Sequence, residues 1–141
     1  MDLDGKHVVI IGGSSGMGLA TAAGAAAAGA KVTIASSDQS RLDAALAALP
    51  GGCDGVVADV RSEASVAEAL AGIGELDHLV YSAGDSVVPR PLAQVPLDEA
   101  RQLFDVRFWG AVAAVRHAAR RRRPHGRRRR RDRGTDPGAG R

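Results

Sequence analysis

Short apolar runs alternate along the chain with stretches whose apolar residues recur at helical spacing. His7–Ile11 forms a continuous apolar run, which is typical of a parallel strand covered on both faces. Residues 19–30 then predict an alanine-rich helix, and residues 31–35, rich in β-branched side chains, predict a second strand. The beginning of the chain therefore predicts a strand–helix–strand unit.

The same alternation continues to about residue 119. Asp38 or Ser40 is a candidate cap for a second helix, and Ser62 is a candidate cap for a third. Strictly alternating strands and helices favour an α/β fold with a parallel sheet and right-handed crossovers. Further strands are predicted at residues 55–58 and 76–81, and further helices at residues 40–49, 62–71 and 97–119.

The last predicted helix, residues 97–119, is apolar on two sides. A helix with two apolar faces normally packs against two surfaces, such as its own sheet and a partner subunit. We therefore expect a homo-oligomer formed through this helix. One apolar stripe consists of Leu97, Phe104, Phe108, Ala111, Val112 and Val115, and a second of Leu103, Val106 and Ala113.

The charge of the chain divides it into two unlike regions. Residues 1–119 carry 8 Lys and Arg against 14 Asp and Glu, whereas residues 120–141 carry 11 Arg against 2 Asp. The second region contains one apolar residue, Ala139, and cannot bury a core. We therefore predict an acidic folded domain over residues 1–119 and an arginine-rich disordered tail over residues 120–141.

Composition excludes several classes of protein. Of the 141 residues 45% are hydrophobic, but no apolar run is long enough to cross a membrane, and Cys53 is the single cysteine. One cysteine excludes an internal disulfide and a cysteine metal cluster, and we predict neither a metal site nor a membrane partner. The charged first residues, MDLDGK, are unlike a secretory signal, so we expect a cytoplasmic protein.

A glycine-rich segment, residues 12–18, lies between the first predicted strand and the first helix. A dinucleotide requires glycine there, because the turn takes positive φ and the backbone approaches a pyrophosphate at the helix N-terminus. The alternative is a purely structural turn, but the strand before it and the helix after it favour a nucleotide site. The candidate ligands in this segment are Gly12, Ser14, Ser15, Gly16, Met17 and Gly18.

The spacing of these glycines, G-x-x-x-G-x-G, resembles that of the short-chain dehydrogenase/reductase family, with Ile11 where the family has threonine. The resemblance covers roughly residues 3–119. It implies a Rossmann-type parallel sheet of four strands in the order 3-2-1-4, with helices on both faces. It also implies NAD(P)-dependent oxidoreduction of a carbonyl or alcohol substrate.

Two further segments carry the resemblance. Residues 57–60, VADV, resemble the end of the family's third strand, which implies that Asp59 bonds the adenine amine with Val60 beside it. Residues 79–84, LVYSAG, resemble the family's N-N-A-G segment. This second match implies that the cofactor site includes Ser82, Ala83 and Gly84.

The end of the second strand bears on which nicotinamide cofactor is bound. A carboxylate there would bind the adenine ribose hydroxyls and repel a 2′-phosphate, but Ser36 occupies the position. Asp38 is better explained as a helix cap. Ser36, Ser37 and Arg41 could together hold a 2′-phosphate, so NADP is favoured over NAD, although Arg41 could equally be an exposed helix residue.

The resemblance implies a catalytic Tyr with a Lys four residues later, a Ser, and an Asn in the long helix. Tyr81 is the only tyrosine, Asp85 stands four residues after it, and no lysine follows Lys31. Arg107 stands where the family has Asn. We therefore assign no catalytic residue and expect the chain as written to be inactive. A non-catalytic nucleotide-binding module is an alternative function.

Arg107 has apolar neighbours three and four residues away on either side. We favour a snorkelling side chain whose stem lies on apolar surface, and the alternative is a contact to substrate or cofactor. Structural roles are expected for His7, His78 and His117, and turn positions for Asp77 and Asp85.

The arginine runs at residues 120–123 and 127–131, taken alone, resemble a nucleic-acid arm, and polyanion binding through them is a further alternative function. No aromatic residue, Asn or Gln is interleaved to read or stack bases. The tail begins where the family would enter its fifth strand, and its composition matches a GC-rich gene read out of frame. We favour a chain truncated before strand five, with an out-of-frame tail, over nucleic-acid binding.

Overall fold

The computed structural model describes residues 3–85 and 89–123. A short 3₁₀ turn, Leu92–Gln94, and a π-helical turn, Asp105–Trp109, lie among the regular elements. The strands are β1 (His7–Ile11), β2 (Lys31–Ser36), β3 (Asp54–Val57) and β4 (His78–Tyr81). The helices are α1 (Gly16–Ala27), α2 (Gln39–Ala48), α3 (Glu63–Ile73), α4 (Leu97–Phe104) and α5 (Gly110–Ala119).

The four strands form one parallel sheet in the order β3-β2-β1-β4. In the register of the sheet, Val9 of β1 lies between Thr33 of β2 and Leu79 of β4. This arrangement confirms the predicted fold class and the predicted strand order. The carboxyl ends of all four strands meet at the same edge of the sheet, which is where open α/β sheets bind their ligands.

Helices cover both faces of the sheet, as the continuous apolar run of β1 predicts. Val8 and Ile10 face one side, where they pack with buried residues of α1 and α2. Val9 and Ile11 face the other side, where they pack with buried residues of α3 and α5. Because successive strand residues point to opposite faces, a strand between two helical layers must be apolar throughout.

The long helix predicted over residues 97–119 is interrupted. At the π-helical turn the N–H of Gly110 bonds the carbonyl of Asp105, five residues back, which inserts one extra residue into the turn. The turn buries Val106, while most of the first predicted stripe stays on the surface. The exposed apolar residues along α4, the turn and α5 are Leu97, Phe104, Phe108, Trp109, Val112 and Val115, called here the apolar stripe.

Side-chain caps define the starts of two helices as predicted. The Asp38 carboxylate accepts a hydrogen bond of 2.7 Å from the backbone N–H of Arg41, and Ser62 accepts one of 3.2 Å from that of Ser65. Helix α1 is different: it begins at Gly16, earlier than predicted, and its Ser15 N-cap makes no side-chain cap bond within the described chain. The first turn of α1 therefore lies inside the glycine-rich segment.

A buried polar group lies at the amino-end edge of the sheet. The ring of His7 lies 2.7 Å (Nδ1) from the Glu75 carbonyl oxygen and 2.9 Å (Nε2) from Thr33 Oγ1, which confirms its expected structural role. Asp77, however, is not a simple turn residue. It is buried and accepts a 2.9 Å hydrogen bond from the backbone N–H of His7, which the turn prediction missed because the two residues are distant in sequence.

The chain that follows α5 returns to this same edge. The backbone of Leu76 donates a 3.0 Å hydrogen bond to Arg121 and accepts one of 3.0 Å from Arg123, in a parallel bridge. Arg123 also lies 3.6 Å from the carboxylate of Asp77. The bridged residues 121–123 belong to the predicted tail, residues 120–141, of which residues 124–141 lie outside the described part of the chain.

Candidate functional site

A cavity of about 260 Å³ opens at the carboxyl-end edge of the sheet. It is formed by the segments that follow all four strands, together with Val106 from the π-helical turn. Predicted site residues that line it are Gly12, Ser14, Ser15, Ser36, Ser37, Arg41, Asp59, Val60, Ser82, Ala83 and Gly84. Lining residues not predicted from the sequence are Ile11, Ala35, Ala58, Arg61, Asp85 and Val106.

The first glycine of the loop allows two segments to meet. Gly12 has a φ of +84°, and a Cβ built on it would lie 2.6 Å from the carbonyl carbon of Ser82 and would also overlap Ala83. Any other residue here would be strained in φ and would push the loop away from the end of β4. The segments after β1 and β4 therefore form one continuous wall of the cavity only with glycine at this position.

The start of α1 suits an anion. Gly16 has a φ of +52°, and a Cβ on Gly18 would overlap the carbonyl oxygen of Gly12. The first turn contains no acidic residue, so its free backbone N–H groups keep their partial positive charge. Gly16, Met17 and Gly18 do not line the cavity themselves, and Met17 is 82% exposed.

The segment after β2 is held by its hydroxyl groups. Ser14 donates a 3.0 Å hydrogen bond to the oxygen of buried Ser36, which ties the glycine loop to the end of β2. The Asp38 carboxylate, the nearest acid in sequence, caps the backbone of Arg41. The Arg41 side chain is exposed and lines the cavity. This corner thus offers hydroxyls and one guanidinium, with no carboxylate at the strand end.

The segment after β3 is fixed by its own short-range hydrogen bonds. The backbone N–H of Asp59 donates to Ser65 Oγ at 3.0 Å, and the Asp59 carboxylate accepts from the backbone N–H of Arg61 at 3.0 Å. Arg61 then reaches across to Asp85, with 2.7 Å between Nη2 and Oδ2. This ion pair joins the segments that follow β3 and β4, so Asp85 is more than the turn residue that the sequence predicted.

The end of β4 is tied to the π-helical turn. The hydroxyl of Tyr81 donates a short hydrogen bond to the carbonyl of Val106. Burial, assisted by the negative charge of Asp85, raises the pKa of Tyr81 to about 12. Gly110 permits this approach, since a Cβ there would overlap the Tyr81 hydroxyl and lie 3.0 Å from Val60 Cβ. The only tyrosine is therefore a neutral structural donor, far from the near-neutral pKa that suits a general base.

Arg107, one residue further along the turn, contacts the same segment. Its Nη2 donates a 2.7 Å hydrogen bond to the Asp85 carbonyl, and its guanidinium lies 3.1–3.2 Å from the Cβ position of Gly84. The side chain is exposed and is directed by this backbone contact, which neither interpretation of the sequence included. Arg107 thus lies beside two residues that line the cavity.

The structure combines a parallel α/β sheet, a glycine-rich segment at a helix N-terminus, and a cavity over the carboxyl ends of the strands. Together these features define a dinucleotide-binding class of protein. A sequence model of the family described as short chain dehydrogenase matches residues 6–127. The chain belongs to this family, as the motifs predicted.

Known proteins resemble the chain over most of its length. A short-chain dehydrogenase/reductase of Acremonium sp is 36% identical over 135 residues, covering 84% of this chain and 51% of that protein. The short-chain type dehydrogenase/reductase from Mycobacterium ulcerans has a similar structure, with a TM-score of 0.78, 30% identity, and coverage of 86% of this chain and 48% of that one. The 3-ketoacyl-(acyl-carrier-protein) reductase from Brucella melitensis, complexed with NADH, has a TM-score of 0.77 at 29% identity, covering 85% and 51%.

The chain spans about half the length of the curated relatives it matches. Within residues 3–85 and 89–123, no helix has both the length and the apolar character needed to cross a bilayer.

Proposed function

We propose that residues 1–119 bind a nicotinamide dinucleotide in the cavity, as the cofactor-binding part of an oxidoreductase that acts on a carbonyl or alcohol substrate. The observation that carries this proposal is the meeting of Gly12 with the Ser82–Ala83 backbone beside the uncapped start of α1. These are the features that a pyrophosphate requires: a close backbone approach and free N–H donors.

The cavity divides among the parts of such a ligand. We assign the pyrophosphate to the glycine-rich segment, where Gly12, Ser14 and Ser15 line the cavity and residues 16–18 begin the adjoining helix α1. We assign the adenine to Asp59 and Val60, and the nicotinamide ribose to residues 82–84. When bound, the nicotinamide would supply or accept the hydride. The chain's own residues would bind and orient the nicotinamide. Tyr81 would take no part in proton transfer, because its hydroxyl is committed to the hydrogen bond with Val106.

We propose NADP as the preferred cofactor. Two features support it: Ser36 in place of a carboxylate at the end of β2, and the exposed guanidinium of Arg41 on the cavity wall. A 2′-phosphate would meet hydroxyls and a positive charge there, while the Asp38 carboxylate is engaged in capping α2. NAD remains the competing ligand for the binding assays.

Nucleotide binding is tested by comparing two alanine variants of α1. Gly18→Ala places a methyl group against the Gly12 carbonyl, whereas Gly24→Ala adds one where nothing lies within 4 Å. By isothermal titration calorimetry we expect Gly24→Ala to keep wild-type NADP⁺ affinity and Gly18→Ala to lose about tenfold or more. Circular dichroism checks that both are folded. Equal affinities for folded Gly18→Ala and wild type would contradict the proposed phosphate site.

Catalysis by this chain alone is not expected, because no lysine follows Lys31 and the only tyrosine is held by Val106. NADPH oxidation measured with a panel of aldehydes and ketones should therefore give no rate above background. Nucleotide binding without turnover would also be the behaviour of a non-catalytic nucleotide module, the second candidate function. Robust turnover would show that another residue performs the proton transfer.

A further inference from the structure

The guanidinium of Arg107 lies beside the cavity and has no carboxylate partner among the described residues. Arg107 makes a single hydrogen bond, from Nη2 to the Asp85 carbonyl at 2.7 Å, and none of the ion pairs in that part of the chain involves it. Arginine keeps its positive charge at any physiological pH and has five N–H donors. Within residues 3–85 and 89–123, most of the hydrogen-bonding capacity of Arg107 is therefore not engaged.

The carboxylate of Asp85, the residue whose backbone Arg107 contacts, is already engaged. The Asp85 side chain is paired with Arg61 at 2.7 Å, so Asp85 offers Arg107 only its backbone oxygen. A neutral carbonyl fixes the position of a guanidinium without cancelling its charge. Among the described residues, Arg61 is thus in an ion pair with Asp85, and Arg107 is in none.

The π-helical turn and two contacts position Arg107. The π-helical turn brings it over the end of β4, and the Tyr81 hydroxyl fixes that turn through the carbonyl of Val106, the preceding residue. Gly84 has no side chain, which lets the guanidinium lie within 3.1–3.2 Å of its Cβ position. Turns of this π type occur often at functional sites.

We propose that Arg107 binds an anionic group, a carboxylate or a phosphate, of the ligand at the Gly84 end of the cavity. The planar guanidinium recognises both groups through paired hydrogen bonds, and it lies at the strand ends where parallel sheets take their ligands. The anion has two sources: an acidic substrate such as a 2-oxo acid, or a phosphate of the dinucleotide. This inference rests on the proposed function, which it extends to the acidic class of substrate in the first case.

The experiment compares the full chain with Arg107→Gln, Arg107→Lys and Arg101→Gln. Arg101 is the control, because it is an exposed arginine on α4 that lies in an ion pair with Asp98. Calorimetry measures NADP⁺ alone and inorganic phosphate alone, and then pyruvate, 2-oxoglutarate and the uncharged ester methyl pyruvate in the presence of NADP⁺. The backbone amide resonances of Gly84 and Asp85 report binding locally.

We expect Arg107→Gln to weaken the binding of either the acidic probes or NADP⁺ by about tenfold. The affinity of Arg107→Lys should be intermediate, and that of Arg101→Gln should equal wild type. Loss confined to pyruvate or 2-oxoglutarate, with methyl pyruvate unaffected, assigns the anion to the substrate. Loss of NADP⁺ affinity assigns it to the cofactor. The lysine variant keeps the charge without the paired geometry, so it also guards against a glutamine variant that fails to fold.

The inference is overturned if folded Arg107→Gln binds NADP⁺ and both acids within about twofold of wild type. It is equally overturned if wild type binds none of the anions, inorganic phosphate included. Failure of the proposed function has a different signature. In that case wild type would not bind NADP⁺, yet pyruvate or phosphate would still shift the Gly84 and Asp85 resonances in an Arg107-dependent way.

Discussion

The hydroxyl of Tyr81, at the last position of β4, donates its hydrogen bond to the carbonyl of Val106 inside the π-helical turn. This contact joins the edge strand of the sheet to the long helical segment across 25 residues of sequence. Burial of the phenol, assisted by the negative charge of Asp85, raises the pKa of Tyr81, so the hydroxyl stays protonated and can donate this hydrogen bond. The same contact positions Arg107, the residue after Val106.

The titration of Tyr81 is directly observable, because it is the only tyrosine in the chain. Its pKa is raised to about 12 by burial and by Asp85. Absorbance near the tyrosinate band should therefore stay flat to well above the usual tyrosine pKa of about 10 and then rise. Asp85→Asn should lower the midpoint, since it removes the nearby negative charge. A wild-type midpoint near 10 would mean that the hydroxyl is free in water.

The same shift implies a loss of stability at alkaline pH. The folded pKa lies above the unfolded one, so the unfolded chain releases its proton first, and stability falls as pH rises from the unfolded pKa toward the folded one. Tyr81→Phe should lose this dependence above about pH 10 while being less stable at pH 7 by about 1 kcal/mol, the usual value of one hydrogen bond. Urea unfolding of wild type and Tyr81→Phe, at pH 7 and again above about pH 10, measures the difference in their free energies of unfolding.

Asp77 should make stability depend on pH in the opposite sense, with stability lost as the solution becomes acidic. The backbone N–H of His7, helped by the positive charges of Lys6 and Arg123, holds the pKa of Asp77 below its usual range. The folded pKa is depressed, so the stabilisation is present above the unfolded aspartate pKa of about 3.9 and is lost as pH falls through the lower folded value.

The Asp77→Asn variant should therefore have a lower melting temperature than wild type at pH 7. This difference in melting temperature should shrink as pH falls through the lowered pKa of Asp77. Asp98→Asn is the control, because Asp98 is 88% exposed and paired only with Arg101 within the described chain. Melting curves followed by circular dichroism from pH 7 to pH 2.5 measure both variants. A gap that is constant with pH would show that Asp77 acts through shape rather than charge.

Local sequence signals predicted the strands, the caps and the glycine segment. The apolar run of β1 and the capping residue Asp38 act within a few positions of the chain, so they can be identified without knowing the fold. The positive φ of Gly12 follows from the same local pattern. These features position the part of the cavity formed by the glycine-rich segment and the end of β2. The predictions for residues 59–60 and 82–84, which line the rest of the cavity, rested on the family resemblance instead.

The missed features all depend on residues that are distant in sequence. His7 meets Asp77 across 70 residues, and Arg61 meets Asp85 across 24. Both acids stand beside strand ends, where turn chemistry is the simplest local explanation. The π-helical turn was missed for a similar reason, since its stabilising partner, Tyr81, lies on another element.

The apolar stripe predicts self-association. Phe104 and Phe108 are 60% and 50% exposed, and the stripe runs from α4 through α5 without a covering element among the described residues. Contiguous exposed apolar surface of this kind normally marks an interface. We expect light scattering with size exclusion to give at least twice the 14.5 kDa chain mass.

Phe108→Asp should reduce that mass to the monomer, because a charge in an apolar interface is costly to bury. The matched control is Leu92→Asp: Leu92 is also apolar and 83% exposed, but it lies in the 3₁₀ turn outside the stripe. A monomeric wild type, or equal effects of the two variants, would show that the stripe is not the interface.

Arg41→Gln tests which nucleotide the cavity prefers. If the Arg41 guanidinium contacts a 2′-phosphate, removing the guanidinium should weaken NADP⁺ binding by about 1 kcal/mol, roughly fivefold. The effect is modest because the pair is exposed to solvent. NAD⁺ has no phosphate there, so its affinity should not change. The variant is compared with Arg101→Gln, which alters net charge equally but lies away from the cavity. Equal weakening of both nucleotides would assign Arg41 to general electrostatic attraction, and tighter wild-type binding of NAD⁺ than NADP⁺ would make the proposed preference wrong.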